Sequence, residues 1–136
     1  MQFAFFGRVL IVVVLVLSAG CANESPSAGA KGQSAEQLVT IRAQARWDAL
    51  RAAQYDKAYA FISPTTRQTL PAEVYRGRIS GASWLGAQVV KVVCEPEICD
   101  VSIKLEYYVL PNLKDTQVVE EKWISDSGNW WFVYRG

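Results

Sequence analysis

The 136-residue sequence contains no histidine and only three cysteines, and its charges nearly cancel, with 14 lysines and arginines against 13 aspartates and glutamates. Without histidine or a second cysteine pair, a zinc site is not expected, and the most frequent general base of enzymes is missing. The balanced charge also lacks the positive surplus that nucleic-acid binding needs. We therefore expect no cofactor, no metal and no nucleic-acid partner.

The sequence also lacks an apolar run long enough to cross a membrane. The run from Val9 to Ala19 has 11 residues, and as a helix it would extend about 16 Å, roughly half of the hydrocarbon core. A longer helix would bury Arg8 at a cost of roughly 2.5 to 3.5 kcal/mol. A positive charge, a short apolar stretch and small residues in this order are typical of a signal peptide.

The end of this stretch, Leu17-Ser18-Ala19-Gly20-Cys21, resembles the lipobox of bacterial lipoproteins, in which a signal peptidase cleaves before a cysteine that becomes acylated. The resemblance implies that residues 1–20 are a lipoprotein signal peptide and that Cys21 carries the lipid. It also implies a bacterial membrane location facing the periplasm or exterior, and Ala22 favours the outer membrane if the host is Gram-negative. An ordinary signal peptide and an uncleaved anchor are the alternatives.

Residues 21–33 are rich in serine, glycine and alanine and contain no large apolar residue. This composition cannot build a core and predicts a flexible tether. The tether would connect the lipid to one folded domain, residues 34–136.

The folded domain is expected to begin with a helix of four to five turns, because Ser34 and Gln37 form a capping-box pattern. Apolar residues then recur at helical spacing. The pattern predicts that the core side of this helix carries Leu38, Val39, Ile41, Ala45, Trp47 and Leu50. The arginines are expected largely on its other faces, at Arg42, Arg46 and Arg51.

Two shorter helices are predicted at 55–64 and 71–80, and from Trp84 the apolar period changes to two. Strands are predicted at 87–93, 99–110, 116–124 and 129–135, separated by turn-forming residues. Helices followed by antiparallel strands predict an α+β domain, with N-terminal helices packed on a curved four-stranded antiparallel sheet.

Cys94 and Cys99 flank the four-residue loop Glu95–Ile98, so a simple hairpin places them opposite each other. Opposed strand positions lie at a distance that a disulfide can bridge. The same register would place Val92 opposite Val101 and Val90 opposite Ile103 on one apolar face. We expect a structural disulfide, with two free buried thiols as the alternative.

The segments "ARWDALRAAQYDKAYAFISPTTR" and "EEKWISDSGNWWFVY" resemble those of the nuclear transport factor 2-like superfamily, also called SnoaL-like or ketosteroid-isomerase-like. The resemblance implies a curved sheet with helices across its concave face, often with an apolar pocket between them and dimerisation through the sheet. Enzymes of this superfamily use an aspartate, histidine or tyrosine in the pocket to move protons. Asp48 and either Glu120 or Glu121 are the carboxylates available here, and strand parity does not decide which glutamate points inward.

A carboxylate enclosed by aromatic residues would be a plausible general base, but a solvated helix or strand face explains these residues equally well. The aromatic residues are numerous, and adjacent Trp130 and Trp131 must face opposite sides of their strand. The outward one needs a cover from a dimer partner, another envelope protein or a helix of the domain. The candidate pocket or interface residues are Trp47, Tyr55, Tyr59, Tyr107, Glu121, Trp123, Trp130 and Trp131.

We therefore expect a membrane-tethered envelope lipoprotein that acts as a non-enzymatic ligand-binding or protein-assembly module. Its expected partners are the membrane, through the lipid on Cys21, and a second copy or an envelope protein, through the sheet. The alternatives are a small-molecule isomerase or dehydratase of the SnoaL-like type, and a purely structural lipoprotein with a filled core.

Overall fold

Four helices precede four strands in residues 32–136, the part of the chain that the computed structural model describes. The predicted signal peptide, Cys21 and nearly all of the predicted tether lie outside these residues. None of the helices in the described part is long and apolar enough to cross a membrane. The elements are α1 (Ala35–Arg51), α2 (Tyr55–Tyr59), α3 (Pro64–Thr69), α4 (Ala72–Ile79), β1 (Trp84–Cys94), β2 (Ile98–Leu110), β3 (Leu113–Asp126) and β4 (Asn129–Phe132).

Helix α1 begins at the predicted capping box. The Ser34 hydroxyl accepts a hydrogen bond from the Gln37 amide, and the Gln37 side chain accepts one from the Ser34 amide. The predicted core side is wrong at two positions, because Leu38 is 37% and Ile41 54% exposed. The expectation for Arg46 is also wrong, since this arginine is buried. The buried side of the helix consists of Val39, Ala43, Arg46, Trp47, Ala49 and Leu50.

The segment that was expected to close the second helix instead starts another one. The Ser63 hydroxyl accepts a hydrogen bond from the Thr66 amide at 3.2 Å and caps α3. Pro64 occupies the first turn, where its missing N–H is not needed. Helix α4 follows Pro71 and matches the third predicted helix.

The four strands form one antiparallel sheet in the order β1-β2-β3-β4, as the alternating pattern predicted. Val101, Ile103 and Leu105 of β2 are buried, whereas Lys104 and Glu106 between and beside them are exposed. The buried face of the sheet and the buried side of α1 contribute to a single hydrophobic core. We call this buried face the inner face and the opposite one the outer face.

Cys94 and Cys99 are joined by a disulfide at the β1–β2 hairpin, as predicted. Cys94 lies opposite Cys99 and Val92 opposite Val101. The predicted pairing of Val90 with Ile103 is wrong, because the register shifts between Val89 and Lys91 and Val89 takes the position opposite Ile103. A bulge adds one residue to one strand, and Val90 is accordingly exposed.

Strand β4 is short and covers only part of β3. It begins after the turn residues Ser127 and Gly128, both with positive φ, and pairs with Trp123–Asp126. After Phe132 the chain leaves the sheet, with a last hydrogen bond from the Val133 amide to the Lys122 carbonyl at 2.9 Å. On the side away from β2, residues 113–121 of β3 therefore have no neighbouring strand within the described chain.

Candidate functional site

A buried ion pair joins the first helix to the third strand. Arg46 Nη1 lies 2.5 Å from Glu121 Oε1, and the two side chains are 5% and 6% exposed. The structure thereby decides between the two candidate glutamates. Glu121 shares the inner face with Trp123, whereas Glu120 is exposed and accepts a hydrogen bond from the Ser102 hydroxyl at 3.0 Å.

Two indole groups complete the coordination of the Glu121 carboxylate. Trp47 Nε1 donates to Oε1 at 2.9 Å, and Trp123 Nε1 donates to Oε2 at 3.1 Å. Both carboxylate oxygens thus accept hydrogen bonds from buried donors. A buried charge without partners is strongly unfavourable, and these hydrogen bonds together with the guanidinium charge compensate the carboxylate for its removal from water.

Arg46 is enclosed by aromatic rings as well as paired with Glu121. Its guanidinium carbon lies 3.7 Å from the centre of the Phe132 ring and 5.4 Å from that of Trp47, a cation–π arrangement. Nη2 is 3.5 Å from the Tyr75 hydroxyl. Burial raises the pKa of the Tyr75 phenol, and the nearby Arg46 charge opposes that rise.

A cleft of about 470 Å³ opens beside this ion pair. Its apolar walls are formed by Trp47, Trp84, Leu105, Val119 and Phe132. The Trp47 and Trp84 rings meet edge to face with centres 5.2 Å apart. The polar lining of the cleft comes mainly from β3, which contributes Gln117, Glu120, Glu121 and Lys122, and is completed by Asp100 of β2 and Arg135 of the C-terminal segment. An aromatic wall faced by a group of polar side chains suits a small molecule with an apolar body and a polar end.

Asp48 and the three tyrosines predicted for the site do not line this cleft. The Tyr59 hydroxyl donates to the Leu70 carbonyl at 2.6 Å, and the Tyr107 hydroxyl donates to the Gln117 side chain at 3.4 Å. Tyr55 lines a separate surface depression. The Asp48 side chain is largely exposed and accepts a hydrogen bond from the Gln44 amide group.

The adjacent tryptophans are both covered by their own chain. Trp130 is buried, and Trp131 is half-buried. The guanidinium carbons of Arg42 and Arg67 lie 5.5 Å and 5.7 Å from the centre of the Trp131 ring. Burial lowers the pKa of Arg42. The cover that the sequence required for the outward tryptophan is therefore supplied by the helices of the domain.

The sequence interpretation missed Arg46, Tyr75 and Trp84 as residues of the site. For Arg46 a signal was present. It lies in the series Val39, Ala43, Arg46, Leu50, whose spacing of four, three and four residues follows one face of a helix. Within residues 32–136, no group of three or more potential metal ligands is found.

Neither a protein-family model nor a curated protein matches the chain. Solved structures do match it. An SEC-C motif protein from Rhodopseudomonas palustris is 14% identical, with a TM-score of 0.57 over 68% of this chain and 73% of its own. An SEC-C motif protein from Psychrobacter arcticus is 13% identical, with a TM-score of 0.59 over 73% of this chain and 60% of its own.

A third solved structure, described as an NTF2-like transpeptidase from Campylobacter jejuni, is 8% identical, with a TM-score of 0.54 over 68% of this chain and 94% of its own. The fold is NTF2-like. At these identities the similarity concerns the fold alone. Within this NTF2-like domain, the ion pair joins α1 to the inner face of the sheet, and the cleft opens beside it along β3.

Proposed function

We propose that the protein is a membrane-tethered lipoprotein of the bacterial cell envelope, anchored through Cys21, whose NTF2-like domain is a non-enzymatic binding module. The observation that carries the second half of this proposal is the state of Glu121. Its carboxylate lies next to the cleft, yet both of its oxygens already accept hydrogen bonds from Arg46, Trp47 and Trp123. The lipobox resemblance supports the anchor.

A general base must bring a proton acceptor within hydrogen-bond distance of the substrate. If Glu121 accepted a proton, its carboxylate would become neutral and the buried charge of Arg46 would lose its counter-ion. Separating a buried ion pair costs roughly 3 to 5 kcal/mol, because the partner charge stays buried without compensation. The carboxylate is therefore better suited to holding α1 on the sheet than to proton transfer, which favours binding over the isomerase or dehydratase alternative.

The cleft indicates the ligand class. Half of its lining residues are aromatic or aliphatic, and its volume of about 470 Å³ falls in the range of small-molecule pockets. A small molecule would bury its apolar part against Trp47, Trp84 and Phe132. Polar groups of the ligand would face the β3 side of the opening, near Lys122 and Arg135.

Binding can be tested with the fluorescent apolar dye anilinonaphthalene sulfonate. Val119 lines the cleft, so Val119→Trp should fill it and weaken dye binding by roughly tenfold or more. Lys104→Trp places the same side chain on the exposed outer face and should leave binding unchanged. Equal binding by both folded variants, verified by circular dichroism, would refute the cleft as the site.

The anchor has a separate test. Detergent extraction of membranes and intact-mass measurement should give the mass of residues 21–136 plus a diacylglyceryl group and an N-acyl chain, minus two hydrogens for the disulfide. Cys21→Ala removes the acceptor thiol and should leave the precursor uncleaved. A wild-type mass without acyl chains contradicts the lipoprotein proposal and leaves the binding proposal standing.

A further inference from the structure

Within residues 32–136, the backbone groups along one edge of β3 have no neighbouring strand to bond. In a two-residue hairpin the residues next to the turn, here Asp126 and Asn129, form a hydrogen-bonded pair, and hydrogen-bonding positions then alternate along the strand. The bond between the Val133 amide and the Lys122 carbonyl fits this alternation. Continuing it, Glu120, Val118, Thr116 and Lys114 direct their N–H and C=O groups away from the sheet.

The outer face of the sheet is a poor alternative surface for self-association. It carries the charged residues Asp100, Lys104, Glu106, Glu120 and Lys122, and three of these already bond within the chain, since Lys122 bonds to Asp100 and Glu120 accepts from Ser102. The cores of protein interfaces are depleted of charged residues. The free capacity for specific bonding therefore lies at the edge, and unprotected edges are templates for strand addition.

We infer that a second copy of the chain pairs with this edge, β3 against β3 and antiparallel, with a twofold axis at Gln117. This register places Lys114 opposite the partner's Glu120 and Thr116 opposite the partner's Val118. All of these are hydrogen-bonding positions, so the ladders of the two edges match. The symmetry creates two Lys–Glu pairs and two pairs of β-branched residues, both favourable across strands.

Neighbouring registers fit less well. An axis at Val118 would place Lys114 opposite the partner's Lys122, a repulsive pair, at a position where Val133 already bonds to Lys122. An axis at Thr116 would leave Glu120 opposite an uncharged asparagine, Asn112. Charge complementarity thus selects the axis at Gln117.

This pairing would also complete the cleft. The partner's Leu113 would lie opposite Glu121 on the inner side, where the cleft opens along β3. Leu113 is 53% exposed in the single chain. The dimer would cover this leucine and add an apolar wall to the opening. The inference does not depend on the anchor or on the ligand proposed above.

A cysteine at the axis gives the sharpest test. Positions Gln117 and the partner's Gln117 form a non-hydrogen-bonded pair with Cα atoms about 4.5 Å apart, within the range of a disulfide. The full-length Gln117→Cys chain, oxidised in intact cells, should give a dimer on non-reducing gels that dithiothreitol converts to monomer. Thr116→Cys, one residue away but about 7 Å or more from its symmetry mate, is the matched control and should stay monomeric.

Charge reversal provides a second, independent measurement. Lys114→Glu and Glu120→Lys should each weaken dimerisation of the detergent-extracted chain by roughly tenfold or more in sedimentation velocity, because two repulsive pairs replace two attractive ones. The double variant should restore it. A folded Gln117→Cys chain that does not cross-link, equal cross-linking by Thr116→Cys, or a double variant as weak as the singles would overturn the inference.

Discussion

The Arg46–Glu121 ion pair predicts an unusually large response to one substitution. Glu121→Leu removes the carboxylate but leaves the guanidinium of Arg46 buried, and it deprives the indole N–H groups of Trp47 and Trp123 of their acceptors. Loss of one partner from a buried pair costs roughly 3 to 5 kcal/mol, and each buried donor left without an acceptor adds about 1 kcal/mol or more. We expect a total loss of about 5 to 7 kcal/mol.

That loss is large relative to the stability of the domain. A domain of the size of residues 32–136 has a free energy of unfolding of roughly 5 to 15 kcal/mol. Glu121→Leu should therefore leave the chain close to its unfolding threshold. The double variant Arg46→Met/Glu121→Leu removes both charges and keeps the volume apolar, so we expect it to be about 2 kcal/mol more stable than Glu121→Leu alone.

The assay is urea unfolding, followed by tryptophan fluorescence and far-ultraviolet circular dichroism, on the four proteins of the double-mutant cycle. Asp100→Ala, which breaks the exposed pair between β2 and Lys122, the residue next to Glu121, is the control and should cost less than about 1 kcal/mol. A loss below about 1 kcal/mol for Glu121→Leu would refute the reasoning. Losses in the double variant that equal the sum of the singles would refute it as well.

Three further responses follow from the fold. Replacing Cys94 and Cys99 by alanine removes a disulfide with a sequence separation of 5 and should lower the free energy of unfolding by about 2 kcal/mol. The thermal midpoint should fall by roughly 10 °C, and an unchanged midpoint would contradict the prediction. The raised pKa of Tyr75 means that the folded state favours the neutral phenol. The stabilisation of the folded state by this phenol is therefore complete below about pH 10 and is lost as the pH rises through the raised pKa. Tyr75→Phe should flatten that decline in urea titrations between about pH 9 and 11, and an equal decline in both proteins would argue against it. Ser127 and Gly128 have positive φ values of 52° and 76°. Gly128→Ala should therefore destabilise the domain by about 1 kcal/mol, whereas Ser127→Asn should stabilise it by about 0.3 kcal/mol. Urea unfolding measures both changes, and a Gly128→Ala chain more stable than the Ser127→Asn chain would contradict the prediction.

The parts of the fold that depend on local pattern could be predicted from the sequence. The sheet has one buried and one solvated face, so β2 displays its alternation directly, and the capping box at Ser34 depends only on residues three positions apart. The disulfide followed from hairpin geometry. The bulge at Val90 could not be predicted, because the sequence Val89-Val90-Lys91 has no glycine or other residue that marks a bulge.

The parts that depend on contacts between distant elements were the ones mispredicted. Ile41 is apolar, but at 100° per residue it lies about 200° around α1 from Val39, on the side away from the sheet. Arg46 was assigned to solvent because a lone charge gives no sign of its partner 75 residues away. Likewise, the last strand was predicted to continue to residue 135. It ends at Phe132, after which Tyr134 packs against Tyr75 with ring centres 5.4 Å apart.

The Arg46–Glu121 pair also sets the order in which the domain is able to fold. The helix that carries the arginine is made first, and its partner lies on the third strand, near the end of the chain. A nascent chain that stops before Glu121 has a positive charge on the very side of α1 that must be buried, which opposes stable collapse of the N-terminal half. Contacts of such long sequence separation also slow folding. The domain should therefore remain unfolded until nearly all of it has been synthesised, which is the condition in which a chain can be threaded through a membrane.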